Sequence, residues 1–253
     1  MTVKELYRIL NEMIPQSLSC EWDNDGLMCC PDSDRQVKKV LCALDVTAQT
    51  AERAIDGGYD LIVSHHPMIF KGLKAVNEED HVASKAIDLI KNNISVMSFH
   101  TRLDALKGGV NDTLAELLGL TDISAFGEEA IGRVGTLPDS MSLSALASLV
   151  KERLCAPFVL VADAGRAPHR IAVLGGEGGD DIALAREAGA DTYISGRLGY
   201  HNMTDAPECG MNLIEAGHFY TEAPVCYTLV NLLKSIDDSI SADVYMSNQI
   251  KAI

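Results

Sequence analysis

The sequence has no run of about 18 apolar residues, the length a membrane-crossing helix needs, so a helical span is not expected. Its opening, MTVKELYRILNEMI, lacks a basic stretch followed by an unbroken apolar one, so no secretory leader is read and a cytoplasmic protein is expected. The 7 cysteines are odd in number and form no CxxC pair, which argues against a disulfide framework and against a thiolate zinc site. Most read as small buried hydrophobes. Basic residues are few: 21 against 36 acidic ones, a formal charge of −15. Without cationic surface to neutralise phosphates, broad non-specific binding to nucleic acid or anionic membrane is not expected, whereas cations are attracted. No GxSxG elbow and no local Cys–His protease motif occurs, leaving covalent catalysis without support.

What is present is an ordinary globular composition, 47% hydrophobic and 23% charged, in 253 residues. That is enough for one large or two modest domains, each burying its own core. Periodicity predicts helices over 3–14, 47–57, 81–92 and 109–118 and strands over 39–45, 60–64 and 94–99. The pattern breaks at the polar, turn-prone stretch 121–129. It resumes with strands near 130–136, 158–162, 170–174, 191–195 and 211–215, alternating with helices at 142–153, 180–188, 200–207 and 222–235. Strands alternating with helices imply an α/β fold with largely parallel sheets.

The two halves resemble each other. Val40–Leu44 falls on Ile171–Gly175, and without a gap Gly58, Asp60 and Ser64 fall on Gly189, Asp191 and Ser195, each 131 residues later. With a shift in loop length, Met97-Ser98-Phe99-His100 falls on Glu215-Ala216-Gly217-His218, and an acid follows each histidine four residues on: Asp104 and Glu222. Two related α/β domains arising by internal duplication are expected, with a dinuclear metal site in the cleft between them. The expected division is a first domain of 1–126 completed by 218–253, and a second of 127–217.

Three clusters carry the chemistry, each at the carboxyl end of an expected strand, where parallel α/β sheets bind ligands. Ser64-His65-His66-Pro67 places two imidazoles side by side; on extended backbone they point to opposite sides and reach two ions if the chain turns. In His100-Thr101-Arg102-Leu103-Asp104, the aspartate supplies a carboxylate that suits zinc, iron or manganese beside imidazole. His100 is open between ligand, proton shuttle and supporting donor. Arg102 either holds an anion or neutralises acidic neighbours. In Gly217-His218-Phe219-Tyr220-Thr221-Glu222, histidine and glutamate share a face if the segment is helical. Gly175-Gly176-Glu177-Gly178-Gly179-Asp180 lacks the lysine of a phosphate loop and reads as a tight turn, with Asp180 and Asp181 capping the next helix. Tyr200 and His201 are open between substrate contact and structure.

The succession Trp22-Asp23-Asn24-Asp25-Gly26-Leu27, Ala43-Leu44-Asp45-Val46-Thr47, SHHP, HTRLDA, GG-x-GG and AGHFYTE resembles the dinuclear-metal proteins called GTP cyclohydrolase I type 2 homologues, or the Nif-three-like family. The resemblance implies two divalent metal ions per chain, zinc, iron or manganese. It implies His65, His66, Asp104, His218 and Glu222 as metal ligands, with Glu222 bridging, and a toroidal homohexamer. It assigns no catalytic residue. Glu177 departs from the small residues common in the glycine loop. The expected function is a metal-dependent hydrolase acting on a small molecule such as GTP, another nucleotide or a phosphoester. The alternative is a non-catalytic protein of metal storage, delivery or regulation.

Overall fold

Val3, Leu6 and Leu10 fall on one face of the first helix and are buried, while Thr2 and Glu5 close its start with a reciprocal capping box. The computed structural model describes residues 1–252. In chain order the first elements are α1 (Val3–Met13), β1 (Gly26–Cys29), β2 (Lys39–Ala43), α2 (Ala48–Asp56), β3 (Leu61–Ser64), α3 (His81–Lys91), β4 (Ser95–Ser98), α4 (Thr101–Ala105) and α5 (Val110–Leu117). There follow β5 (Thr121–Phe126), β6 (Gly132–Thr136), α6 (Leu143–Arg153), β7 (Leu160–Ala162), β8 (Arg170–Glu177), α7 (Ile182–Glu187) and β9 (Thr192–Arg197). The chain ends with α8 (Tyr200–Asp205), β10 (Asn212–Glu215), α9 (His218–Glu222), α10 (Val225–Ile236) and β11 (Ser241–Tyr245). No described helix is long and apolar enough to cross a membrane.

The chain forms two compact units. The first comprises Met1–Leu103 and Val225–Gln249, the second Asp104–Pro224 with the residues after Gln249. The α/β class expected from the sequence is observed in both. The boundaries differ from the expected 126/127 and 217/218. Segment 104–126 joins the second unit because β5 pairs antiparallel with β6 and α5 packs its buried Leu114 into the core that holds Ile171 and Val173. α9 joins it too, packed against β8 and β9.

The first unit has one sheet, ordered β1-β4-β3-β2-β11, parallel except for β1. Leu41, Ile62 and Val96 point from its central strands to a core shared with Ala51 and Ala54 of α2 and Ala86 and Leu89 of α3. The second unit's sheet runs β5-β6-β8-β9-β10-β7. Alternate side chains of β8 divide between its faces: Ile171 and Val173 join the cluster with α5 and α6, Ala172 and Leu174 the cluster with Tyr193 and Leu213.

The internal repeat is visible in the ladders. Val40, Leu41, Cys42 and Ala43 pair with Leu61, Ile62, Val63 and Ser64; Ile171, Ala172, Val173 and Leu174 pair in the same register with Thr192, Tyr193, Ile194 and Ser195. Asp60 Oδ2 accepts the amides of Lys38 and Lys39 at 2.8 and 2.9 Å, and Asp191 accepts those of His169 and Arg170 at 3.1 and 2.9 Å. Each of these residues has its counterpart 131 positions on, so the repeat includes the hydrogen bonds that shape the turn.

The third strand corrects the alignment by one residue. The Phe99 amide donates to Ser64 O and the Ala216 amide to Ser195 O, both at 2.9 Å. Phe99 therefore corresponds to Ala216, and His100 to Gly217 rather than to His218. The short helices α4 and α9 then start at equivalent positions, and Asp104 and Glu222 are not counterparts. A histidine-to-histidine match is one residue out of register; the backbone ladder sets it.

Three strands lay outside the expected set. β5 replaces the predicted turn region 121–129; it is an edge strand with mostly exposed side chains, so it carries no alternating apolar pattern. β1 and β11 are likewise short edge strands.

Candidate metal centre

In the first unit β3 ends at Ser64, and the chain bends at His65 and His66 instead of continuing extended. The two rings therefore do not diverge: their centroids are 4.9 Å apart. His100, just beyond β4, adds a third ring, 5.3 Å from His65 and 5.7 Å from His66. One ring nitrogen from each of the three lies within 4.8 Å of the others.

Each imidazole is oriented through Nδ1. His65 Nδ1 donates to the Phe99 carbonyl at 3.0 Å, His66 Nδ1 to Asp45 Oδ1 at 2.8 Å, and His100 Nδ1 to Asp23 Oδ1 at 2.9 Å. Carbonyl and carboxylate oxygens accept, so the hydrogen sits on Nδ1 and the lone pair on Nε2. That is the ring orientation of metal-bound histidines, whose distal nitrogen is tied to a carboxylate or carbonyl. Asp23 is itself held by the Thr101 amide at 3.0 Å and hydroxyl at 2.6 Å. Burial opposes its charge, but the hydrogen bonds from His100 and Thr101 prevail and bring its carboxyl down to about 2.

Arg102 is fully buried, so the anion-binding reading gives way to the structural one. Its Nε donates to Asp25 Oδ2 at 2.9 Å, its Nη1 to Asn11 Oδ1 at 2.7 Å and the Ile14 carbonyl at 3.0 Å, and its guanidinium lies over the Phe99 ring at 4.6 Å.

In the second unit α9 is helical from its first residue. His218 and Glu222 therefore share a face, with Nε2 and Oε2 3.0 Å apart. A carboxylate oxygen of Asp104 lies within 4.8 Å of one of Glu222, and both side chains are buried. The glycine stretch makes room for them. Gly175 and Gly176 belong to β8, not to a tight turn, and at Gly176, where φ is +74°, a Cβ would overlap Glu222 Oε1 and lie 3.2 Å from His218 Nε2. A Cβ at Gly196 would lie 2.7 Å from His218 Cα. The Gly175 amide donates to Asn111 Oδ1 at 2.7 Å and the Gly176 amide to Thr221 Oγ1 at 3.1 Å, tying β8 to α5 and α9.

Asp181 occupies the start of α7 without a capping hydrogen bond from its side chain, contrary to the expected cap. Burial, with the charges of Asp180 and Glu129, raises its carboxyl. Tyr200 and His201 are exposed and pack edge-to-face on one another at 5.6 Å. Arg197 and Glu177, 3.7 Å apart, form an exposed pair.

The first unit thus presents three imidazoles, and the second an imidazole with two carboxylates; each group consists of donor types that zinc, iron or manganese accept. A family model described as Duf34/NIF3 (NGG1p interacting factor 3) matches residues 1–252. The chain belongs to this family. Relatives named GTP cyclohydrolase 1 type 2 homolog include one from Clostridium perfringens, 34% identical over 96% of this chain and 94% of the relative. Another, from Clostridium acetobutylicum, is 36% identical over 88% and 86%. Among solved structures, Staphylococcus aureus protein SA1388 superposes with a TM-score of 0.90 at 27% identity, covering 100% of this chain and 99% of that one. Reduced HcgD from Methanocaldococcus jannaschii gives 0.84 at 28%, covering 96% and 97%.

Of the five expected ligands of this Duf34/NIF3 member, His65 and His66 lie in the first group and Asp104, His218 and Glu222 in the second. The sequence reading left His100 open; the structure puts its ring with those of His65 and His66. It assigned no role to Asp23 or Asp45, which hold two of those rings. The available signal was position: Asp45 lies two residues beyond β2, at the same end of the sheet as the Ser-His-His segment after β3.

Proposed function

We propose that the chain binds two divalent metal ions, zinc, iron or manganese, through His65, His66, Asp104, His218 and Glu222, and uses them to hydrolyse a small molecule. The observation that carries this reading is the set of Nδ1 anchors, which presents each imidazole of the first unit through Nε2. A metal pair held by these five residues would supply the Lewis acidity that polarises the bond under attack. His65 and His66 offer neutral nitrogen, and Asp104 and Glu222 offer anionic oxygen that offsets the cations' charge. His100, oriented by Asp23 through Nδ1, is placed to carry a proton at Nε2 in this reading. The five ligands assign no position to the substrate, and five donors do not saturate two ions.

The class of substrate follows the relatives' name, GTP cyclohydrolase 1 type 2 homolog: GTP, another nucleotide or a phosphoester. A second reading, metal storage, delivery or regulation, draws on the −15 formal charge, which concentrates cations around the chain. We place either activity in a cytoplasmic homo-oligomer, a toroidal hexamer, for which a mass of six chains by light scattering is the check.

The test is a substrate screen with metal-loaded protein, run beside Glu222→Ala. Turnover of GTP, another nucleotide or a phosphodiester that disappears in the variant supports hydrolysis. Absence of turnover across all three metals, together with transfer of metal to an apo-acceptor, supports the storage reading instead.

A further inference from the structure

Two large aromatic side chains beside the three histidines are exposed. Trp22 is 63% and Phe70 45% accessible, although each would be stabilised by burial. They are 6.2 Å apart at 75°, and His100 lies 6.2 Å from Trp22 at 78° and 6.1 Å from Phe70 at 84°. The three ring planes are close to mutually perpendicular and form a corner. A flat ring stacked on one of them meets the others edge-on, the two arrangements aromatic pairs prefer.

The corner is held, not floppy. The Cys20 amide donates to Thr101 Oγ1 at 3.0 Å and Asp23 binds the start of α4, which fixes the Trp22 loop to the end of β4. Asn24 Nδ2 donates to the Ile69 carbonyl at 2.5 Å, which joins the Trp22 loop to the Phe70 loop. Two exposed rings kept in place by polar bonds at their neighbours fit a recognition surface better than incidental exposure. The charge that follows Phe70 along the chain is unusual for this protein. Lys71 and Lys74 follow Phe70 on exposed backbone, and no acidic residue appears between Pro67 and Glu78. In a chain of −15 that loop is locally cationic.

We propose that Trp22 and Phe70 are specificity-determining residues that stack a planar heteroaromatic ring of the substrate beside His100, with Lys71 and Lys74 receiving an anionic tail on the same molecule. The inference rests on the metal-centre reading for what lies next to the ring; among the substrates of that reading it favours those with a flat ring over simple phosphoesters, and it names the side chains that would select them.

Trp22 is the only tryptophan of the chain, so its fluorescence reports on this corner alone. The experiment titrates metal-loaded full-length protein, excited at the red edge of tryptophan absorption, with AMP, with ribose 5-phosphate and with adenosine. AMP has ring and anion, ribose 5-phosphate the anion only, adenosine the ring only. Saturable quenching by AMP, weaker saturable quenching by adenosine and none by ribose 5-phosphate is expected. Phe70→Leu, a change at an exposed position, should weaken AMP binding roughly tenfold, the effect of losing one stacking partner. Lys71→Ala/Lys74→Ala should bring AMP to the level of adenosine. Failure of AMP to quench saturably, equal quenching by AMP and ribose 5-phosphate, or an unchanged Phe70→Leu titration overturns the proposal. Metal content measured on the same samples keeps the two readings apart. Metal without ring binding removes the stacking proposal alone, and ring binding without metal removes the metal reading alone.

Discussion

Gly176 and Gly58 both have a positive φ and differ in surroundings, which makes them a useful pair of perturbations. Their φ values are +74° and +64°, where a side chain is strained by about 1–2 kcal/mol. A Cβ at Gly58 meets nothing within 4 Å, so Gly58→Ala should cost that strain alone and lower the melting temperature by roughly 2–8 °C. A Cβ at Gly176 overlaps Glu222 Oε1 and lies 3.1 Å from its Cδ, so Gly176→Ala must also displace a buried carboxylate from His218. Displacing a buried carboxylate from that ion pair adds about 1–3 kcal/mol. The summed loss of about 2–5 kcal/mol corresponds to a fall of roughly 4–20 °C. Calorimetry on chelator-treated protein reads the stability without interference from bound ions, and elemental analysis after reloading reads the site. Gly58→Ala should reload fully and Gly176→Ala should not. Equal melting temperatures and equal metal content in the two variants would refute the claim that the glycine stretch exists to admit Glu222.

Asp45→Ala removes the acceptor for His66 Nδ1 and should weaken metal affinity about 10–100-fold in competition with a chelator, with little change in melting temperature of the metal-free protein. Arg102→Met leaves Asp25 buried without its cation and should destabilise the chain by about 3–5 kcal/mol in urea unfolding; a loss under 1 kcal/mol would mean that the pair is solvated. At Asp60 burial opposes ionisation, but the amides of Lys38 and Lys39 and the Arg35 guanidinium prevail and lower its carboxyl. A depressed folded value means the stabilisation is complete above the unfolded value of about 4 and is lost as pH falls through the folded one. The stability difference between the wild type and Asp60→Asn should therefore be flat from neutral pH down to about 5 and shrink below about 4; a difference that grows on acidification would contradict the sign.

Much of the central fold is legible in the sequence because its strands are buried on both faces. β2, β3 and β8 each carry an apolar run, β9 buries Tyr193 and Ile194, and their repeat aligns without a gap across the intervening helix and turn, where Asp60 and Asp191 each accept the two amides at the start of the preceding strand. The edges were not legible. β5 exposes most of its side chains and pairs on one side only, so neither apolar alternation nor a continuous run marks it. The slip at His100 has a related cause: the side-chain identity of a histidine pair outweighed a register that only backbone hydrogen bonds specify. Within the candidate site, imidazoles and carboxylates at strand ends could be named from spacing. Their orientation could not, because Asp23, Asp45 and the Phe99 carbonyl act from different strands and loops, and it is three-dimensional proximity that gives each ring its tautomer.

The most direct measurement of the metal-centre reading is native mass spectrometry of the purified full-length chain after loading with zinc, iron or manganese. Two ions per chain are expected in the wild type and fewer than two in Glu222→Ala. A wild type that carries no bound metal after loading with any of the three, or a variant that still carries two, would contradict it.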